Sequence, residues 1–321
     1  MNLPKLLITA PILRFNSILD LLNKKFDVSV KEYLEYSQME NIISNYEALI
    51  PNARIKIDKQ IIDKASSLKA IYQPSVGVDH IDLNCLKQNN IKFDAIGFDN
   101  DFLGNQWTTA EHTILLILGC LKNIKSTVND LDNFQWDNRK YTIQDLKNLT
   151  VGIIGFGNIG RKVSELLRPF NCKISVYDPY IPLSSITCHN AVSSSLNSLL
   201  ESSDIISLHV PLNKETTNMI GPKEINKMKS SAYLINAARG GIVDEEAFIK
   251  AVESHKLRGG AFDVLLDENP DGVENSKLAN FAKSKKNILI TPHVGGSSYQ
   301  YMQSVFMKAA IRIEEMFCEK D

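Results

Sequence analysis

Gly155, Gly157 and Gly160 stand in the spacing G-x-G-x-x-G. The apolar run 151–154 precedes them, and Val163, Leu166 and Leu167 then recur with helical spacing. Strand, glycine turn and helix start is the order that a dinucleotide site requires. The first glycine permits a tight turn, the second lets backbone approach a pyrophosphate, and the third lets helix and strand pack closely. Phosphate charge then meets the positive end of the helix. Asp178 ends the next apolar run, 173–177, about twenty residues further on. A carboxylate there accepts hydrogen bonds from a ribose 2′-hydroxyl and repels a 2′-phosphate. Asp178-Pro179-Tyr180 also brings no adjacent arginine. These residues point to NAD(H) over NADP(H); the lesser alternative is that Asp178 only caps the turn before Pro179.

A nicotinamide cofactor implies hydride transfer, and hydride transfer at a carbon bearing oxygen needs a general acid/base. Histidine suits that task. Of the six histidines, His293 has the best address, in Thr291-Pro292-His293-Val294-Gly295-Gly296 just past a strand end. His209 also lies at a strand end, but Val210-Pro211 follow it and its apolar context suits packing beside an adenine. Arg239 lies in Ala237-Ala238-Arg239-Gly240-Gly241, where paired glycines suggest close ligand approach. A guanidinium there could hold a carboxylate in a fork. Glu268 follows Ala261-Phe262-Asp263 in a loop, and a carboxylate beside His293 would favour the protonated ring and fix its orientation. Taken singly, Arg239 could make a surface ion pair and Glu268 could be a solvated loop charge.

The elements that must position these groups form two α/β units. Strands are expected at 6–10, 26–30, 48–50, 69–72 and 91–95, with helices at 16–24, 39–45, 58–65 and 83–89 between them. That alternation predicts a parallel, doubly wound sheet. The loop Pro74-Ser75-Val76-Gly77-Val78-Asp79 follows its fourth strand and could present backbone N–H groups to an anion, or Gly77 could serve an ordinary turn. One long helix is expected over 105–124, with Thr109 as its cap and an apolar surface suited to a large core or a subunit contact. Residues 129–146, with Trp136, Arg139 and Tyr141, read as a linker or arm. After the glycine turn, strands are expected at 205–210, 232–236, 260–263 and 288–291, with one helix ending over 199–202 and another at 245–254. A closing helix, 299–318, should pack back on the first unit through Val305, Ala309, Ile313 and Met316. The expected architecture is a Rossmann cofactor domain, 103–290, inserted into a smaller flavodoxin-like substrate domain of 1–102 plus 291–321.

Composition limits the alternatives. The 321 residues carry a net charge of −1, which gives no general electrostatic case for nucleic acid or an anionic membrane. No apolar run approaches the length of a membrane span, and the first ten residues read as a strand rather than a secretory signal. The five cysteines form no C-x-x-C and no metal-ligand spacing with histidine, so no metal is expected and reduced thiols in a cytoplasmic protein are.

Six motifs, in order, resemble the D-isomer-specific 2-hydroxyacid dehydrogenase family between about Ser75 and Ser298. They are Val76-Gly77-Val78-Asp79-His80-Ile81-Asp82, Thr109-Ala110-Glu111-His112-Thr113, the glycine strand and turn, Leu208-His209-Val210-Pro211-Leu212, Ile235-Asn236-Ala237-Ala238-Arg239-Gly240-Gly241, and Thr291-Pro292-His293-Val294-Gly295-Gly296. The resemblance implies Arg239, Glu268 and His293 as the catalytic set. It implies that Val76 and Gly77, with Ser75, bind the carboxylate of a 2-oxo or 2-hydroxy acid. Asp263 and the backbone at Ala237 and Ala238 are implied at the nicotinamide end, and His209, Val210 and Pro211 on the adenine side. Thr109, Asn158, Ile159, Thr216, Gly295 and Gly296 complete the expected cofactor contacts. A homodimer through the glycine domain, including the long helix and the Trp136 arm, is also implied. The chain departs from the family where Glu-Pro is usual, reading Glu268-Asn269-Pro270, which leaves Asp267 as a rival to Glu268. A general 2-hydroxyacid dehydrogenase is expected, its particular acid left open, because Gln73-Pro74-Ser75 has no arginine and the chain ends after its closing helix. 3-Phosphoglycerate is the runner-up, with Arg54 or Lys56 facing the phosphate. A reading of another class is a non-catalytic NAD sensor that binds protein partners.

Overall fold

The computed structural model describes residues 3–32, 34–266, 268 and 272–318. The chain separates into two compact units, Met1–Gln106 with Ser298–Asp321, and Trp107–Ser297. The expected boundaries were 102/103 and 290/291. The second unit runs on to Ser297 because Thr291, His293, Val294 and Gly295 all hydrogen-bond to Phe262 or Asp263. His293 therefore belongs to the glycine unit.

In the first unit, β1 (Lys5–Ile8), β2 (Asp27–Val30), β3 (Ala48–Ile50), β4 (Ala70–Gln73) and β5 (Lys92–Ala95) form one parallel sheet in the order 2-1-3-4-5. This is the flavodoxin-like doubly wound order. Successive side chains of a strand point to opposite faces. Leu6 and Ile8 accordingly join one core and Leu7 the other. The closing helix Tyr299–Cys318 covers the first of these faces, placing Val305, Phe306, Ala309, Ile313 and Met316 in the core with Ala48 and Ala70. Its apolar stripe has the four-and-three spacing that the sequence showed.

The second unit holds β6 (Thr150–Ile154), β7 (Lys173–Tyr177), β8 (Val192–Ser193), β9 (Ile205–Leu208), β10 (Tyr233–Asn236), β11 (Gly259–Phe262) and β12 (Ile288–Ile290). All pair in parallel, in the order 12-11-10-9-6-7-8. Strand β6 sits between β7 and β9, where the direction of winding reverses, and such sheets bind ligands at that point. The two-residue β8 lies at the sheet edge with both residues exposed, so it leaves no apolar run to read.

Within the expected 105–124 helix the structure has Thr108–Leu121; the short helix Asn100–Gly104 ends before that range, and Ile124–Asp132 begins at its last residue. Asn123 breaks Thr108–Leu121 from Ile124–Asp132 with a left-handed φ of 52°. Thr109 is not the cap. Trp107 precedes the helix, and the Thr109 carbonyl accepts from Thr113 Oγ1 at 2.8 Å. The helix Thr108–Leu121 is apolar on several faces because Ala110, Leu116, Ile117 and Leu121 enter a core with Val151, Ile153 and Ala261. The supposed arm is helical as far as Asp132, and Tyr141 is tied back to Asp130 at 2.7 Å.

Candidate active site

Three neighbouring strand ends, those of β10, β11 and β12, build the site. Asp263 follows β11, and its buried carboxylate organises the loop after β12. Oδ1 accepts from Thr291 Oγ1 at 2.5 Å and from Val294 N at 2.9 Å, and Oδ2 accepts from Gly295 N at 2.8 Å. His112 Nε2 lies 3.2 Å from the same carboxylate and 3.0 Å from Thr291 Oγ1. Burial opposes the Asp263 charge, but these four partners together outweigh it and hold the carboxyl below the usual range.

His293 is carried on this loop, with its amide on the Asp263 carbonyl at 2.8 Å. Its φ of 54° is left-handed, an unfavourable conformation for a residue with a Cβ. Such backbone persists where surroundings over-determine it, and Asp263 does so here. The His293 ring donates from Nδ1 to Glu268 Oε2 at 2.5 Å, while Glu268 Oε1 accepts from Leu265 N at 3.0 Å. With the carboxylate pinned at both oxygens, the ring orientation is fixed. Nε2 has no partner among the described residues, and the side chain is 43% exposed, enough for a small molecule to reach it.

Arg239 comes from the turn after β10. Fully buried Asn236 shapes that turn, accepting from Ala238 N at 3.1 Å and donating to the Arg239 carbonyl at 2.9 Å. Gly240 presses on the Glu268 loop, since a Cβ there would lie 2.0 Å from Leu265 C and O. The close approach that the paired glycines announced is thus backbone against backbone. It joins the Arg239 turn to the residue whose amide anchors Glu268.

The glycine turn divides its three glycines by role. Gly155 has φ +91°, and a Cβ on it would meet the His209 carbonyl at 2.6 Å. A Cβ on Gly160 would meet the Gly155 carbonyl at 2.1 Å. Gly157 faces open space. It precedes the helix Asn158–Leu167 without a side-chain cap, and the amides of Asn158, Ile159 and Gly160 donate to no acceptor among the described residues. Free N–H groups at a helix start beside open space fit a pyrophosphate. Asp178 does two things: Oδ2 accepts from Phe156 N at 2.7 Å and Oδ1 from Tyr180 N at 2.9 Å. It therefore ties the end of β7 to the glycine turn as well as capping its own loop.

The other expected residues of this unit are placed as follows. His209 bonds Ser207 Oγ at 2.8 Å, and burial of its ring lowers its pKa to about 4. Val210 packs against the core of the unit and Pro211 continues the loop, its carbonyl taking Thr216 Oγ1 at 2.6 Å. Ala237 and Ala238 are half-buried in the Asn236 turn, and Gly295 and Gly296 follow His293. The Asp267, Asn269 and Pro270 of the family departure lie outside the described residues. His112 was quoted within a motif and given no role. Its place on Asp263 could not be read from a helix start that lies far from residue 263 in sequence. Among the described residues no cluster of three His, Cys, Asp or Glu could hold a metal.

In the first unit, Ser75, Val76 and Gly77 form the turn after β4. Ser75 Oγ donates to the Gly77 carbonyl at 3.1 Å.

Residues 114–295 match the family profile described as D-isomer specific 2-hydroxyacid dehydrogenase, NAD binding domain. The chain belongs to this family. It is 32% identical over 299 residues to hydroxypyruvate reductase of Thermotoga maritima, covering 93% of each chain. It is also 32% identical over 314 residues to D-3-phosphoglycerate dehydrogenase of Archaeoglobus fulgidus, covering 97% of this chain and 57% of that one. The chain thus spans about half the length of the curated phosphoglycerate dehydrogenases it matches. A solved D-lactate dehydrogenase from Aquifex aeolicus, complexed with NAD and lactic acid, superposes with a TM-score of 0.84 at 29% identity. That match covers 98% of this chain and 95% of the other. No described helix is long and apolar enough to cross a membrane.

Proposed function

We propose that this dehydrogenase-family chain is an NAD-dependent oxidoreductase that interconverts a small, unphosphorylated 2-oxo acid and its D-2-hydroxy acid. The observation that carries the reading is the His293 ring, fixed through Nδ1 by Glu268 and presenting an unengaged Nε2. NAD(H), when bound at the glycine turn and Asp178, supplies or accepts the hydride at the substrate carbon. His293 Nε2 gives its proton to the keto oxygen in reduction and takes it back in oxidation. Glu268 steadies the charged ring and its orientation. Arg239 holds the substrate carboxylate and neighbouring carbonyl oxygen in a fork. Ser75, Val76 and Gly77 bind the carboxylate through backbone N–H groups, and Asp263 holds the His293 loop in place at the nicotinamide end. His209, Val210 and Pro211 line the adenine side, with Thr109, Thr216, Ala237, Ala238, Gly295 and Gly296 completing the cofactor contacts.

A homodimer through the glycine domain, in the cytoplasm, is part of the same proposal. Trp136, 90% exposed, and Phe134, 97% exposed, support the first part of that reading. For 3-phosphoglycerate, exposed Arg54 and Lys56 would have to meet the phosphate.

The test is NADH oxidation with pyruvate, glyoxylate, hydroxypyruvate, bulkier 2-oxo acids and phosphohydroxypyruvate. Preference for an unphosphorylated acid supports the proposal. Preference for phosphohydroxypyruvate replaces it with the serine-pathway reaction, and NADH binding without turnover of any acid replaces it with a sensor.

A further inference from the structure

Gln73 ends β4 and is fully buried, an unusual place for a side chain with so many hydrogen-bonding positions. Both ends of its amide are engaged. Nε2 donates to Ser75 Oγ at 2.6 Å, and Oε1 accepts from His80 Nε2 at 3.3 Å. Ser75 passes the connection on by donating to the Gly77 carbonyl at 3.1 Å. A second support comes from the turn after β5, where a Cβ on Gly97 would fall 2.3 Å from the Val76 carbonyl oxygen. Side-chain bonds and close packing thus engage the turn's oxygens. By contrast, the amides of Ser75, Val76 and Gly77 donate to no acceptor among the described residues. Successive N–H groups left without an internal acceptor form an anion-binding concavity.

We infer that Gln73 is a positioning residue for the substrate carboxylate. It sets the 75–77 turn through Ser75 on one side and His80 on the other, so that the turn's N–H groups meet one anion. Gln73 is neutral and its amide is already committed, so it acts by holding the turn and brings no charge of its own to the anion. The inference rests on the 2-oxo acid reading proposed above.

Three variants test it: Gln73→Met, which keeps length and loses both bonds, Ser75→Ala, and the double variant. The readouts are KM and kcat for the best-reduced 2-oxo acid and for its ethyl ester, which lacks the carboxylate, together with Kd for oxamate and for NADH. Gln73→Met is expected to raise the acid KM and the oxamate Kd about tenfold. The ester KM, kcat and NADH affinity should change little. The double variant should be no worse than the worse single one, because the two residues act through one chain of bonds. Acid and ester KM rising together would reduce Gln73 to a core residue, and an unchanged acid KM and oxamate Kd would also overturn the inference. Should Gln73→Met fail to fold, Gln73→Glu keeps the His80 bond, draws the Ser75 hydroxyl from the Gly77 carbonyl to the new carboxylate, and puts a second anion behind the turn. It should weaken the acid and spare the ester. Oxamate binding that depends on Gln73, in a protein that reduces no 2-oxo acid, would sustain this inference while refuting the proposed function. Turnover that is indifferent to Gln73 would do the reverse.

Discussion

At the scale of single residues, the site rests on two carboxylates with different duties. Glu268 is half-buried, touches the His293 ring and can tune it. Asp263 is buried, holds the loop and His112, and has no contact with the His293 ring among those described. Glu268→Gln should therefore keep the fold and lower turnover roughly tenfold to 10³-fold, less than loss of the ring itself. Asp263→Asn should cost about 2–4 kcal/mol, because His112, Thr291 and two amides lose a buried anion. Thermal denaturation and steady-state kinetics on the two variants separate these effects. The first should move kcat with little change in Tm, and the second should move both. Arg239, Glu268 and His293 were legible as candidates because each lies in the turn or loop that follows a strand. His112 was not, because its partner is brought to it only by the packing of the helix Thr108–Leu121 in this unit.

At the scale of elements, turns join neighbouring strand ends. Gly240 lets the turn after β10 lie on Leu265, so Arg239 and Glu268 are set by one backbone contact. Gly240→Ala would put a Cβ into Leu265 backbone that has no flexible end to yield. Loss of stability and of turnover together is the expected result; a soluble variant with wild-type kinetics would show that the contact does not matter. The strands were legible because parallel strands buried on both faces leave short apolar runs. The breaks in the helical stretch before β6 were not. Asn123 takes a left-handed conformation that an asparagine signals only weakly, and the apolar pattern runs straight through it.

At the scale of the whole molecule, acid and association are the levers. His209 titrates near 4 in the folded protein against 6.5 for a free ring, because burial disfavours its charged form. The unfolded chain then binds a proton that the folded chain refuses. The stability tied to His209 is complete above about pH 6.5 and falls as the pH drops toward about 4. Melting temperatures measured across that range should fall less steeply in His209→Asn than in the parent. Trp136 and Phe134 are nine-tenths or more exposed, which suits the proposed contact between copies. The proposal that this arm joins two copies predicts a dimeric mass for the parent and a monomeric mass for the double variant Trp136→Asp, Phe134→Asp by light scattering; a monomeric parent, or an unchanged mass in the variant, would contradict it.

The central claim is that His293 moves the proton, and one comparison tests it most directly. NADH-dependent reduction of the preferred 2-oxo acid is measured at saturating NADH in the parent and in His293→Ala. A fall in kcat of roughly 10²–10⁴, with NADH affinity unchanged, is the predicted result. Turnover by His293→Ala close to that of the parent would contradict the account.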